Sequence, residues 1–454
     1  MAEQTDVVVV GLGVGGEMVG GRLARAGLSV VGIDSGLVGG ECPYWGCVPS
    51  KMMLRAANLL AEARRVEGVA GSASVHPSWQ PVADRLRAAT GGWDDAAAVE
   101  RFTDAGGSFV RGQGRLVGPG RVRVAGGAEY HASRAVVLAT GATPVIPPVE
   151  GLAGTPYWTN RDAIEADSLP ESLLVLGGGA VGLELAQVFA RFGVPVTVLE
   201  AGDRLAGIEE PESSALLAET LADDGVTIHT SARVQRVAHG PAGFELEFGQ
   251  GQRVAGQRLL VSTGRRADLA AVGVDSVGLD PAAATIEVDG RMRAGERLWA
   301  VGDITGHGMF THVATYQAGI AVRDILGEPG PPADYRALPR VTFTDPEIGA
   351  VGMTEAQARE QGVRVVVGTA QIPQTARGWI HLTGNQGFLK LVADADQQVL
   401  VGATSAGPTG GEVLSALAVA IQAQVPVRTL RHMIYAYPTF HRGIGDALAE
   451  LDLE

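Results

Sequence analysis

The chain opens on a continuous apolar run, Val7-Val8-Val9-Val10, which stops at Gly11-Leu12-Gly13-Val14-Gly15-Gly16. An unbroken valine run bounded by glycine predicts a strand buried on both faces, as in a parallel sheet. Apolar positions then recur at helical spacing through Met18, Leu23 and Ala26, and Ser29–Ile33 predicts a second strand ending in Asp34. The same order returns later. Leu173–Leu176 predicts a strand, Gly177-Gly178-Gly179-Ala180-Val181-Gly182 follows it, a helix is expected over Ala180–Phe192, and the strand Pro195–Leu199 ends at Glu200. Nearer the C-terminus, Gly387–Val392 reads as a strand and Gly411–Gln422 as a helix.

Both glycine runs are G-x-G-x-x-G, and each is followed by an acidic residue 23 positions after its first glycine, Asp34 and Glu200. Gly11, Gly13 and Gly16, and likewise Gly177, Gly179 and Gly182, permit a tight turn and let backbone N–H groups approach a pyrophosphate at a helix N-terminus. One such motif is weak evidence. Two, each in strand–turn–helix–strand context with the acid at one offset, predict two dinucleotide sites. Two dinucleotides in one chain imply an electron relay, most simply a flavin and a nicotinamide.

The chain has 454 residues, enough for about three domains, and 46% of them are hydrophobic, so a sizeable core is expected. A net charge of −14 argues against nucleic acid and anionic membranes as partners. The apolar run at Val7–Val10 is too short for a signal or spanning segment, and no run reaches the length of a membrane helix. A cytoplasmic protein is the expectation.

The only two cysteines lie in Gly39-Gly40-Glu41-Cys42-Pro43-Tyr44-Trp45-Gly46-Cys47-Val48-Pro49-Ser50-Lys51. They could be core residues or close a short staple. They could equally form a strained, labile pair used in redox chemistry, and in a cytosolic protein a cysteine pair is more often catalytic than structural. The motif begins five residues after Asp34, so the first nucleotide site adjoins it and is assigned FAD; the second is assigned the nicotinamide cofactor. Glu200 repels a 2′-phosphate and accepts from a free 2′-hydroxyl, which favours NADH over NADPH, although Arg204 stands nearby. Lysine occurs only twice, at Lys51 and Lys390, so a lysine four residues after Cys47 stands out.

With these motifs the sequence resembles the flavoprotein disulfide reductases, the family of dihydrolipoamide dehydrogenase, glutathione reductase and mercuric reductase. Ala139-Thr140-Gly141 resembles the end of the first FAD segment, and Arg297–Asp303 the second FAD motif, in which Asp303 is expected to hold the ribityl chain. Val261–Arg266, with Gly264, resembles the exit from the NAD domain, and Phe343–Gly349 the start of the interface domain. The resemblance implies an α/β fold: two Rossmann-like domains, for FAD and NAD, and a C-terminal α+β interface domain. The expected segments are 1–149 (FAD), 150–266 (nicotinamide), 267–335 (central, FAD) and 336–454 (interface). It further implies a homodimer whose active sites borrow residues from the partner. Cys47 is then the sulfur beside the flavin, Cys42 the interchange thiol and Gly40 part of the FAD cradle. Lys51 is expected near the flavin's reactive nitrogen, with Glu184 as its ion-pair partner; a solvated carboxylate on a helix face is the plainer reading of Glu184. Glu41 departs from the threonine or serine common in the family and is expected to point away from the diphosphate or to meet an arginine.

The resemblance breaks near the C-terminus. Thiol-acting members carry a histidine and, five residues later, a glutamate as an acid–base dyad. Aligning on Pro438-Thr439 puts Tyr437 and Arg442 at those positions. A phenol is a poor base at neutral pH, so weak dihydrolipoamide dehydrogenase activity is expected. Mercuric reductases also carry tyrosine here, but they use a further cysteine pair near the C-terminus that this sequence does not have, and no metal site is expected. His441 could compensate if a helix beginning at Pro438 or Thr439 turned it towards the cleft, or could be a surface histidine. Arg442 could bind an anionic substrate or pair with Asp446. The expectation is a homodimeric FAD enzyme passing electrons from NAD(P)H through a Cys42–Cys47 disulfide to a small-molecule acceptor, first of all a disulfide. A quinone, metal-ion or oxygen reductase making little use of the cysteines is the alternative.

Overall fold

Val7, Val8 and Val9 are fully shielded from solvent. Their strand runs Glu3–Val10 and pairs in parallel with Val30–Asp34 on one side and Glu129–Leu138 on the other. Val10 sits in register with Ile33 and Leu138, so three strands finish together at the end of the sheet where the first glycine turn begins. Val7 and Val9 join one apolar cluster with Val19, Leu23 and Phe102, whereas Val8 and Val10 join another with Leu116 and Val122. Alternate residues of a strand face opposite sides. Both sides are covered, which is why the run lacks polar alternation.

The structure is a computed structural model that describes residues 2–453, and it divides into two compact units of three chain stretches each. The first unit joins the stretch ending at Pro49 to Asp84–Val145 and Gly264–Asp334. Its main sheet has the order Arg293–Gly295, Leu298–Ala300, Glu129–Leu138, Glu3–Val10, Val30–Asp34, Ser108–Arg111, with the hairpin Gly114–Gly118 and Arg121–Val124 added beside Glu129–Leu138.

The second unit holds Ser50–Ala83, Ile146–Thr263 and the chain from Tyr335 onward. A parallel four-stranded sheet runs Thr227–His229, Val196–Leu199, Leu173–Leu176, Arg258–Val261. An antiparallel sheet of five strands runs Pro339–Thr342, Glu347–Gly352, Val399–Gly407, Phe388–Asp394, Val365–Gln371. The helix Gly410–Gln422 covers it through Val413, Leu414, Leu417 and Ile421, as its apolar spacing requires. The α/β architecture expected from the sequence is present. The helix expected over Ala180–Phe192 ends at Arg191, with Phe192 as its cap, and the strand expected at Gly387–Val392 runs Phe388–Asp394.

Candidate active site

The two glycine turns are built alike. Gly11 (φ +91°) and Gly177 (φ +110°) take left-handed backbone that a side chain would strain. A Cβ at Gly16 would collide with the Gly11 carbonyl oxygen, and one at Gly182 with the Gly177 carbonyl oxygen. The helices Val14–Arg25 and Ala180–Arg191 each start from an extended glycine, Gly13 and Gly179, with no side chain capping the first turn. Uncapped N–H groups and the helix dipole suit a pyrophosphate. Asp34 accepts from Leu12 N at 2.5 Å and Gly36 N at 2.7 Å. Glu200 repeats this with Gly178 N and Gly202 N, both at 2.6 Å. Each carboxylate anchors its turn and keeps lone pairs for a ribose. Arg204 donates to the Gly207 carbonyl at 2.6 Å.

In the first unit the cysteine loop is fastened to the glycine turn. Gly39 N donates to Leu12 O at 2.7 Å, Gly13 and Gly39 form a parallel bridge, and a Cβ at Gly40 would stand 2.9 Å from Gly13 Cα. That close approach fits a nucleotide cradle that side chains would fill. Thr140 and Gly141 (φ +68°) follow the neighbouring strand Glu129–Leu138. Gly264 (φ +112°) accepts from Val145 N at 2.9 Å.

Cys42 lies in the short helix Glu41–Tyr44, and Cys47 is the first residue of the helix Cys47–Arg64. Both are free thiols in the structure. Their sulfurs are hydrogen-bonded, which, with burial, pushes the Cys42 thiol far above the ordinary thiol range. Cys47 is exposed at a helix N-terminus, the setting that favours a thiolate. Thr311, which the sequence reading missed, places its hydroxyl 3.3 Å from the Cys47 sulfur, and its hydrogen bond to Cys42 partly offsets the upward push there. Thr311 opens the helix Thr311–Leu326 a few residues after the Arg297–Asp303 motif; that position was the available signal. Burial raises the Asp303 carboxyl, Arg265 lowers it, and Glu41 and Cys47 raise it. Glu41 does meet an arginine: Arg265 Nη2 lies 3.9 Å from its carboxylate.

In the second unit Lys51 Nζ is 2.7 Å from Glu184 Oε2 and 4.6 Å from the centre of the Phe343 ring. Glu184 is buried and accepts from Phe343 N at 2.9 Å through its other oxygen, so it is not a solvated helix-face carboxylate. Tyr437 is 75% exposed. Thr439 accepts from Arg442 N through its hydroxyl and opens a 3-10 turn, Phe440–Arg442, that runs directly into the helix Gly443–Ala449, so His441 lies in the first turn of a helical stretch. His441 is half-buried in a groove with Arg377, Glu412 and Ser415, its ring 6.2 Å from that of Tyr435. Arg442 pairs with Asp446 at 2.9 Å. Among the described residues no cluster of three or more His, Cys, Asp or Glu could hold a metal, and no helix is long and apolar enough to cross a membrane.

The chain matches known proteins along nearly its whole length. Residues 5–318 match the family described as pyridine nucleotide-disulphide oxidoreductase, and residues 338–448 match its dimerisation domain. The chain is 32% identical over 465 residues to a dihydrolipoyl dehydrogenase of Haloferax volcanii, covering 98% of this chain and 96% of that one. It is 34% identical over 449 residues to a mercuric reductase of Streptomyces lividans, covering 96% and 93%. Among solved structures, the HOCl-induced flavoprotein disulfide reductase RclA from Escherichia coli superposes with a TM-score of 0.86 at 27% identity, covering 98% and 99%. The same protein has also been solved as a Cu(II) complex, with the same TM-score and identity, covering 99% of each chain. Two uncapped glycine turns, a dithiol at a helix N-terminus and these full-length matches have one reading: the chain is an oxidoreductase belonging to the pyridine nucleotide-disulphide oxidoreductase family.

Proposed function

We propose that this protein is an FAD-dependent NAD(P)H oxidoreductase that passes electrons through Cys42 and Cys47 to a small disulfide. The observation that carries the reading is the pair of hydrogen-bonded thiols at the head of the helix Cys47–Arg64, fastened to the first glycine turn. FAD, when bound, supplies the two-electron chemistry between the nicotinamide and the sulfurs. Gly13, Gly16, Asp34, Gly40, Thr140, Gly141 and Asp303 would hold it; Gly179, Gly182, Glu200 and Gly264 would hold the nicotinamide nucleotide. The commitment of Arg204 to the Gly207 carbonyl supports NADH over NADPH.

The protein's own chemistry is thiol–disulfide exchange. Cys42, once deprotonated, attacks the acceptor disulfide and releases one thiol; Cys47 then attacks the Cys42 sulfur, releasing the second thiol and closing a Cys42–Cys47 bond. Two electrons leave the dithiol, and two protons go to the released thiols. Oxidising a dithiol needs a base to take the substrate's thiol proton, and a phenol at Tyr437, which takes the histidine's place when the chain is aligned on Pro438-Thr439, serves poorly as one. Reducing a disulfide asks that group to give a proton to the leaving thiol, so reduction of disulfides is the direction favoured. The dimerisation-domain match supports a homodimer, as do the exposed Trp379 and Ile434 within it. The absence of a disulfide scaffold supports a cytoplasmic setting.

A metal ion as acceptor is the second reading, favoured by the mercuric reductase relative and the Cu(II) complex of the E. coli neighbour. The deciding experiment is NADH oxidation by wild type and Cys42→Ser with a small disulfide, a quinone and Cu(II). The first reading expects the disulfide activity of Cys42→Ser to fall on the order of a hundredfold with quinone turnover kept. Undiminished disulfide turnover contradicts it, and a larger wild-type rate with Cu(II), lost in Cys42→Ser, selects the second.

A further inference from the structure

We propose that Asn58 and Arg191 are positioning residues that hold two helices in the register placing Lys51 against Glu184. The function of that pair rests on the reading above; the register does not. Lys51 and Asn58 lie seven residues apart on the helix Cys47–Arg64, and Glu184 and Arg191 lie seven apart on Ala180–Arg191. The first two residues of each spacing are joined by the ion pair at 2.7 Å, and the second two by Arg191 Nη1 donating to Asn58 Oδ1 at 2.7 Å. Seven residues advance a helix by roughly 10 Å. Equal spacing on both helices makes two parallel rungs.

The second rung is the rigid one. Lys51 is a flexible chain with a third of its side chain in water, so it cannot define where its helix lies. Arg191 is 2% exposed and fixed on three sides. Its Nε donates to Asp224 and its Nη2 to the Asp345 carboxylate, both at 2.9 Å. The planar guanidinium fork leaves one direction for Asn58.

A third element locks the same helix face. Gln187 accepts from Asp345 N at 2.8 Å and donates to Asp345 O at 2.9 Å, while Glu184 accepts from Phe343 N. Glu184, Gln187 and Arg191 therefore read one stretch, Phe343–Asp345. This fixes the carboxylate; Asn58 then fixes the helix that brings the lysine. Arg64 Nη2 adds a tie to the Arg191 carbonyl at 2.9 Å.

The test uses the fact that the chain has only two lysines. With lysine isotope-labelled at Cε, the FAD-loaded protein gives two side-chain resonances, and Lys51→Arg identifies one by its loss. Lys390, buried among Glu210, Glu212 and Glu355, is the internal reference. Asn58→Ala leaves Arg191 with two carboxylates and no uncompensated charge, so the variant is expected to fold. The Lys51 resonance should then move most of the way to its position in Glu184→Gln, with Lys390 unmoved. Asn58→Asp, which keeps the acceptor oxygen, should return Lys51 to its wild-type position and covers the case in which the alanine variant fails to fold. A Lys51 resonance unmoved in Asn58→Ala, or an aspartate variant that matches Glu184→Gln, overturns the proposal. Neither result depends on whether the cysteines carry electrons.

Discussion

The Thr311 hydroxyl lies 3.3 Å from the Cys47 sulfur, at the first residue of the helix Thr311–Leu326. A hydroxyl here can donate to an ionised sulfur, and a hydrogen bond to a charged group is worth about 1.5–3 kcal/mol. Thr311→Val keeps the shape and removes the donor. Alkylation of Cys47 in the reduced protein at neutral pH should slow about tenfold or more, since the thiolate is the nucleophile. An unchanged rate would mean that the hydroxyl does not serve the sulfur.

Cys42 gives a pH dependence with a definite sign. Its thiol is raised above the ordinary 9.0 by its bond to Cys47 and by burial. Below that value folded and unfolded chains both carry the proton. Above it the unfolded chain releases the proton and the folded chain keeps it, so the reduced protein loses stability as pH rises past 9.0. The slope is at most about 1.4 kcal/mol per pH unit, and less because the thiol is only partly shielded. Urea unfolding of wild type and Cys42→Ser under reducing conditions should diverge above that pH, wild type declining faster. Parallel curves would show that the raised thiol has no thermodynamic effect.

The two nucleotide turns should fail separately. Gly16→Ala drives a methyl into the Gly11 carbonyl oxygen, and Gly182→Ala drives one into the Gly177 carbonyl oxygen. The first should purify with little flavin. The second should purify yellow yet bind NADH at least tenfold more weakly, because the amides no longer meet the pyrophosphate. Bound absorbance and an NADH titration read both. Loss of flavin from Gly182→Ala would reverse the assignment of the sites.

Glu200 tests nucleotide choice. Its oxygens hold Gly178 N and Gly202 N, so Glu200→Gln keeps one acceptor and removes the charge facing a 2′-phosphate. The ratio of kcat/KM for NADPH over NADH should rise about tenfold, a change of ~1.4 kcal/mol. A ratio that stays put would separate Glu200 from discrimination.

Sequence pattern carried the nucleotide turns far, because strand, glycine turn, helix and acid are local. Val7–Val10, Leu173–Leu176 and both G-x-G-x-x-G runs stand where the periodicity put them. What stayed hidden is long-range. Thr311 is 264 positions from Cys47, and its place a few residues after the Arg297–Asp303 motif is the one sequence signal that it approaches the sulfur. Arg265 meets Glu41 only because the strand pair Arg265–Arg266 and Thr143–Pro144 brings it back. For His441 the sequence left open whether a helix begins at Pro438 or Thr439; the Thr439 side chain caps a 3-10 turn that continues into the helix Gly443–Ala449, while the groove His441 shares with Arg377 and Glu412 is made by residues distant in sequence.

The measurement that tests the account most directly is an anaerobic titration of the oxidised, flavin-loaded protein with NADH, with thiols counted before and after. If Cys42 and Cys47 lie in the electron path, the protein consumes two hydride equivalents, gains two thiols and shows a long-wavelength thiolate–flavin band. Consumption of one equivalent with a fixed thiol count would contradict the account, and a quinone or oxygen reductase that works without the cysteines would take its place.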